Sequence, residues 1–200
     1  MKQLIAIVLI SLLFFSCKQK PTYDGVEVLV QQYLDEELIS SDTLVIEENE
    51  IRFDPTRFDE GVYFILSVDT IAPQSLAEGF PFYIDELNSG TIKIARNDVV
   101  LGGNAGNEAY QSLRSKLKKL DADDIYGQLT AWDEFFAGYL AHPLGEEVFL
   151  NDFDPYNSFV AAPDQVERFL GYADESFLSR PEIIELTMWM QSLNKGALFR

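Results

Sequence analysis

Asp24-Gly25-Val26-Glu27-Val28-Leu29-Val30-Gln31-Gln32-Tyr33-Leu34-Asp35-Glu36-Glu37-Leu38-Ile39 is the stretch on which the fold turns. Val26, Leu29, Val30, Tyr33, Leu34 and Leu38 recur at intervals that line one face of a helix of 3.6 residues per turn. Asp24 stands where an N-cap would be. The spacing predicts an amphipathic helix over 24–39, ended by Ser40-Ser41-Asp42.

After that stretch the pattern shifts to strands. Thr43–Glu47 and Glu50–Phe53 read as strands about a turn at Glu48-Asn49. Val62–Val68 is β-branched and aromatic on both faces, which predicts a central strand. Phe80–Asp85 and Thr91–Ala95 read as a hairpin about Asn88-Ser89-Gly90, and Val99–Leu101 as a further short strand. Beyond Asn104 the period becomes helical. One helix carries Tyr110, Leu113, Leu117 and Leu120. A second runs from Ile125 to Leu140 and is stopped by Pro143 and Gly145. A third starts near Pro163, and a fourth follows Pro181 with Gly196 as its C-cap. Gly102–Gly106 reads as a linker or the start of a helix.

The predicted class is α+β: an N-terminal helix on a small, mainly antiparallel sheet, then a helical C-terminal half. The expected organisation is a signal peptide over 1–16, a tether over 17–23, an α+β region over 24–103 and a helical region over 104–200 packed on it. Leu29, Leu34, Phe64, Ile65 and Trp132 are expected in the core.

The first residues read as an address. Lys2 precedes an apolar run from Leu4 to Phe15, then Ser16 and Cys17. Such a run is shorter than the about 20 residues that span a bilayer, and it suits a signal h-region. Leu13-Phe14-Phe15-Ser16-Cys17 resembles the lipobox of bacterial lipoproteins. That resemblance implies acylation of Cys17 and a lipid-anchored protein of the cell envelope, at the outer membrane facing the periplasm. An ordinary cleaved signal or a short anchor is the alternative.

The 200 residues carry 15 Lys and Arg against 33 Asp and Glu, a net charge of −18. Loss of the first sixteen residues removes Lys2 alone among charged groups and gives −19. A surface of that sign excludes nucleic acid, whose phosphates must be met by clustered cations. One Cys and one His exclude a disulfide framework and multi-His or Cys-rich metal sites. No cofactor is expected. Asn151, Asp152, Asp154 and Asn157 bring oxygen ligands together but lack the glycine and glutamate of a calcium loop. His142 reads as a helix-terminal cap.

Residues 26–95 are similar to the YrhB-like immunity-protein family associated with bacterial polymorphic toxins. The similarity runs through Val26–Leu38, read as the family's amphipathic helix, Thr43–Ile46 and Gly61–Phe64. It continues through Leu76–Gly79, Phe80–Asp85 and Ser89–Ile92. It departs from the family at Gly79-Phe80, and the helical half has no counterpart. The resemblance implies a toxin-neutralising binding protein without chemistry of its own.

The expected function is therefore binding of a basic protein by an acidic surface backed by aromatic anchors. Asp69, Glu78, Asp85 and Glu86 would supply the charge. Phe80, Phe82 and Tyr83 would supply the exposed rings. A carbohydrate-binding or hydrolytic envelope protein, with two carboxylates and an exposed Trp in a cleft, is the alternative.

Overall fold

The computed structural model describes residues 23–34, 37–53, 57–87, 90–95, 98–153 and 163–197. Cys17, the signal segment and most of the tether lie outside these residues, as do Asn88, Ser89, Asp154 and Asn157.

The first element is a strand. Glu27–Leu34 (β1) runs antiparallel to Glu37–Val45 (β2), with Glu27 opposite Val45 and Leu34 opposite Glu37. The helix expected over 24–39 is thus a hairpin. Val26, Val28 and Val30 decide it: they are 1%, 0% and 1% exposed. Their period is two, and β-branching makes each a better strand former than helix former. Leu29 is only half-buried, while Tyr33, Leu38 and Ile39 are exposed. The apparent helical stripe mixed the two faces of a strand.

Gly61–Leu66 (β4) pairs with β1, and Phe80–Ile84 (β5) pairs with β4. The antiparallel order is β2-β1-β4-β5. The expected central strand is therefore central. A second sheet holds Glu50–Ile51 (β3), Thr91–Ala95 (β6) and Asp98–Gly102 (β7) in the order β3-β6-β7. Glu48 and Asn49 turn the chain from one sheet to the other with φ of 53° and 59°. Two successive left-handed residues are the signature of a tight hairpin turn. β5 and β6 do not form the expected hairpin, because each pairs within its own sheet.

The short helix Gln74–Glu78 (α1) bridges β4 and β5. Then come Ala105–Leu117 (α2), Ile125–Tyr139 (α3), Pro143–Val148 (α4), Pro163–Leu170 (α5) and Glu175–Leu178 (α6). Pro181–Ala197 (α7) ends the described chain, with Gly196 inside it rather than past its end. Pro143 and Gly145 do not merely stop α3. Pro143 opens α4 at the position where its missing N–H costs nothing.

A π-helical turn, Phe149–Phe153, continues from α4. It brings Phe149 against Phe136, and Phe153 against Trp132, Phe136 and Phe169, with ring centroids 5.3–5.6 Å apart. This aromatic cluster is the core of the helical half. α2 packs on β7 and β5, and α4 on β5 and β4. The helices thus cover the β5 side of the larger sheet. Ile65 and Trp132 are buried as expected, but Phe64 is half-buried.

Candidate functional site: two ends and two edges of the larger sheet

The seven expected binding residues do not form one surface. Register places them at opposite ends of the four-stranded sheet. Ile65 opposes Phe80, so Asp69 and Glu78 lie beyond one end. Gly61 opposes Ile84, so Asp85 and Glu86 lie beyond the other, beside Glu60. Asp69 is occupied locally: its Oδ1 accepts from the Ile71 N–H at 3.1 Å, and its own N–H donates to the Ser67 Oγ. Glu78 accepts from the Gln74 side-chain amide at 2.6 Å.

The three rings expected to be exposed are core. Phe80 and Phe82 are fully buried, and Tyr83 nearly so. Arg114 lies over the Phe80 ring at 5.2 Å, and Phe53 stacks on Phe82 at 4.9 Å. All five residues of β5 are buried. A strand covered on both faces reads as a continuous apolar run, and Phe80-Pro-Phe-Tyr-Ile84 is one. The alternation needed for an exposed aromatic face was never in that stretch.

β5 is an edge strand whose free side is closed by side chains. The Asn107 Oδ1 accepts from the Tyr83 N–H at 3.0 Å, and its Nδ2 donates to the Tyr83 carbonyl at 2.8 Å. The Asn104 Nδ2 donates to the same carbonyl at 3.1 Å. One amide therefore does what a neighbouring strand would do. Asn107 is held by its own N–H, which donates to the Oδ1 of Asn104, the N-cap of α2. Loop chemistry at the start of α2 closes this edge.

The Tyr83 hydroxyl donates to Glu60, and the ring meets His142 edge-on at 4.5 Å. Burial, the Glu60 hydrogen bond and the carboxylates of Glu60, Asp85 and Glu86 push the Tyr83 hydroxyl up to about 12. His142 caps the N-terminus of α4, its Nδ1 accepting from the Leu144 N–H at 3.1 Å. It is a cap, as expected, but of the helix that follows rather than of the one before.

Burial lowers the His142 pKa below the ordinary 6.5, and Glu60 opposes this. A folded-state value below the unfolded one means that the unfolded chain takes the proton first. The His142 contribution to stability is full above about pH 6.5 and is lost as pH falls through the lower folded value. Protonation also removes the acceptor that caps Leu144. Glu146 works in the opposite direction: burial raises it despite Arg180, so its share falls as pH rises above 4.5. The difference between the parent and His142→Asn isolates the histidine, because Asn caps without titrating. Denaturation from about pH 7.5 to about pH 5 should show the parent losing stability relative to this variant. Parallel curves would contradict the assignment.

The other edge of the sheet is different. Among the described residues no strand pairs with the outer side of β2. Ile46 bonds inward to Val26 at 3.0 Å. Alternation along an antiparallel ladder then turns the backbone groups of Val45, Thr43 and Ser41 outward. The Thr43 N–H donates to Oδ1 of Asp42 at 2.8 Å, and Asp42 is also paired with Arg57. Tyr33, Leu38 and Ile39 stand 48%, 50% and 53% exposed at the far end of the hairpin. From Pro21 to Ile51 the chain carries nine Asp and Glu and no Lys, Arg or His. β1 ends toward the start of β4, since Gln31 opposes Phe64 and Leu29 opposes Leu66. The hairpin tip therefore rises from the same end of the sheet as Glu60, Asp85 and Glu86. Composition carried a signal for this surface in the absence of cations between Lys20 and Arg52.

A groove of about 190 Å³ between α2 and α3 is lined by Leu113, Phe135, Tyr139 and the Lys116–Glu134 pair. Trp132 is in the core rather than in this groove. Among the described residues no group of three His, Cys, Asp or Glu is arranged to hold a metal ion, and no helix is long and apolar enough to cross a membrane. Asp152, considered as a cation ligand, accepts from the buried Tyr110 hydroxyl. Comparison with protein-family models, with curated proteins and with solved structures gives no match.

Proposed function

We propose that this chain is a lipid-anchored protein of the cell envelope that binds a basic protein partner, with neutralisation of a secreted toxin as its role. The observation that carries the reading is the acid-only stretch from Pro21 to Ile51, within which Glu27–Leu34 and Glu37–Val45 pair as a hairpin with exposed Tyr33, Leu38 and Ile39. Apolar side chains ringed by charge of one sign suit a protein partner of the opposite sign. The similarity of residues 26–95 to the YrhB-like immunity proteins points the same way, although the segment matched to that family's helix is a strand here. The binding surface in this reading runs from the hairpin tip to Asp85 and Glu86; Phe80, Phe82 and Tyr83 lie in the core and take no part in it.

Anchoring rests on Cys17. Two or more acyl chains hold a protein firmly, at about 0.8 kcal/mol per buried CH₂, so no further membrane-binding surface is needed. Cys17→Ser should move the protein out of the membrane fraction or leave its precursor uncleaved. Unchanged fractionation, with no acyl mass on the N-terminal peptide, would refute the anchor.

Affinity capture from envelope extract, at low and high salt, tests the binding role. A basic protein should be recovered, and its association should slow as salt rises, because screening shortens to about 8 Å at 0.15 M. Reversing Asp85 and Glu86 together to Lys should weaken capture without unfolding the domain. Recovery of no protein, together with measurable glycan binding or turnover, would overturn the reading.

A further inference from the structure

The four-stranded sheet has two edges, and the fold treats them oppositely. At β5 an asparagine side chain takes up both the N–H and the carbonyl of Tyr83. At β2 the described residues bring no neighbouring strand, over nine residues. An uncovered strand edge is a template for another strand, and proteins usually blunt it with lysine, proline or a short strand. Glu37–Val45 is long and has neither lysine nor proline. Its register irregularity lies at the tip, between Gln32 and Tyr33 of the partner strand, and leaves Ser40 to Val45 in regular pairing.

We propose that the outer edge of β2 receives an extended, basic segment of the protein partner as a fifth strand, paired through Ser41, Thr43 and Val45. This rests on the binding reading above and adds the outer edge of β2, with its mode of pairing, to the surface named there. Charge selects the occupant. The stretch from Pro21 to Ile51 holds nine acids and no cation of its own, with Arg57 reaching Asp42 and Arg52 reaching Glu48 and Glu50 from outside it, so two copies of this edge would still meet with negative charge in excess on both sides. A segment with lysine or arginine at alternate positions meets that charge instead. At Thr43 the Asp42 carboxylate already accepts the outward N–H, and a partner carbonyl has to displace it. Tyr33, Leu38 and Ile39, exposed at the tip, offer the apolar contact that such a strand needs beyond its backbone bonds.

The test uses the full chain in detergent and a synthetic peptide alternating lysine and valine over about ten residues, the length of a long strand. Amide hydrogen exchange is followed with and without the peptide. Exchange at Ser41 and Val45 should slow about tenfold or more, and Tyr83, already closed, should not change. The same peptide N-methylated at alternate residues should bind on the order of tenfold less tightly, because its charge is kept and its backbone donors are lost. Equal binding of the methylated peptide, or protection confined to other segments, would overturn strand addition. Protection of β2 that grows with protein concentration in the absence of peptide would overturn the choice of occupant in favour of a second copy. Thr43→Pro separates the two readings, since proline is tolerated at an outward edge position. If the envelope partner is still captured at parental strength by Thr43→Pro, the edge is refuted and the binding role survives. If neither the parent nor Thr43→Pro captures a protein, the binding role itself fails.

Discussion

Gly145→Ala is expected to be the most damaging single methyl in the protein. A Cβ at this position would sit 1.7 Å from the Tyr139 carbonyl oxygen and 2.4 Å from its carbon. Both atoms are backbone at the end of α3, so no rotamer change relieves the clash. α4 would have to lift away from α3, taking with it Leu144, Val148 and the Phe149–Phe153 turn that fills the aromatic core. Ordinary overpacking costs about 1–3 kcal/mol, and this substitution should exceed that range. Gly138→Ala is the control. Gly138 lies in α3 with nothing within 4 Å of its added Cβ, so alanine should stabilise by up to about 1 kcal/mol through helix propensity. Denaturant unfolding of the two variants should therefore move in opposite directions. A Gly145→Ala variant of parental stability would mean that α4 does not meet the end of α3 as described.

Asn107→Leu is the second large effect. Leucine keeps about the volume of the amide and removes its polarity, leaving the Tyr83 N–H without its acceptor and the Tyr83 carbonyl with Asn104 alone. A buried backbone group left without a partner costs about 1–3 kcal/mol, and the Tyr83 N–H is such a group, so the loss should be about 1–3 kcal/mol. Asn107→Asp should also destabilise the fold, because a carboxylate still accepts from the N–H but repels the carbonyl. Equilibrium unfolding read by the near-ultraviolet signal of the aromatic core reports both. If Asn107→Leu costs less than about 1 kcal/mol, the edge of β5 is not closed by this side chain.

Much of the fold was legible in residue patterns. Val62–Val68 declared a central strand by being apolar on both faces, and the helices of the second half followed their 3.6 period. The first element was misread for a physical reason. Val26-Glu27-Val28-Leu29-Val30 satisfies both periods, because Leu29, Tyr33 and Leu38 sit on the outward face of a strand that exposes apolar residues. The three alternating valines were the deciding signal. The candidate site was less legible. Phe80, Phe82 and Tyr83 are buried because α2 and α4 pack against β5, and a strand pattern alone does not reveal what covers it. The Asn107–Tyr83 pairing joins residues 24 apart in sequence, beyond the reach of any local motif. Asn104, the N-cap of α2, lies in the stretch Gly102–Gly106 that the sequence reads only as a linker or the start of a helix.

Amide hydrogen exchange of the free chain, resolved to single residues, tests the central claim most directly. That claim is an N-terminal hairpin with an open acidic edge on a sheet whose opposite edge is sealed. Alternation along β2 is the expected result: slow exchange at Leu44 and Asp42, whose amides face β1, and fast exchange at Val45 and Ser41, with Tyr83 on β5 among the slow amides. Uniform protection from Asp24 to Ile39, as a helix would give, or Val45 and Ser41 amides as slow as that of Tyr83, would contradict it.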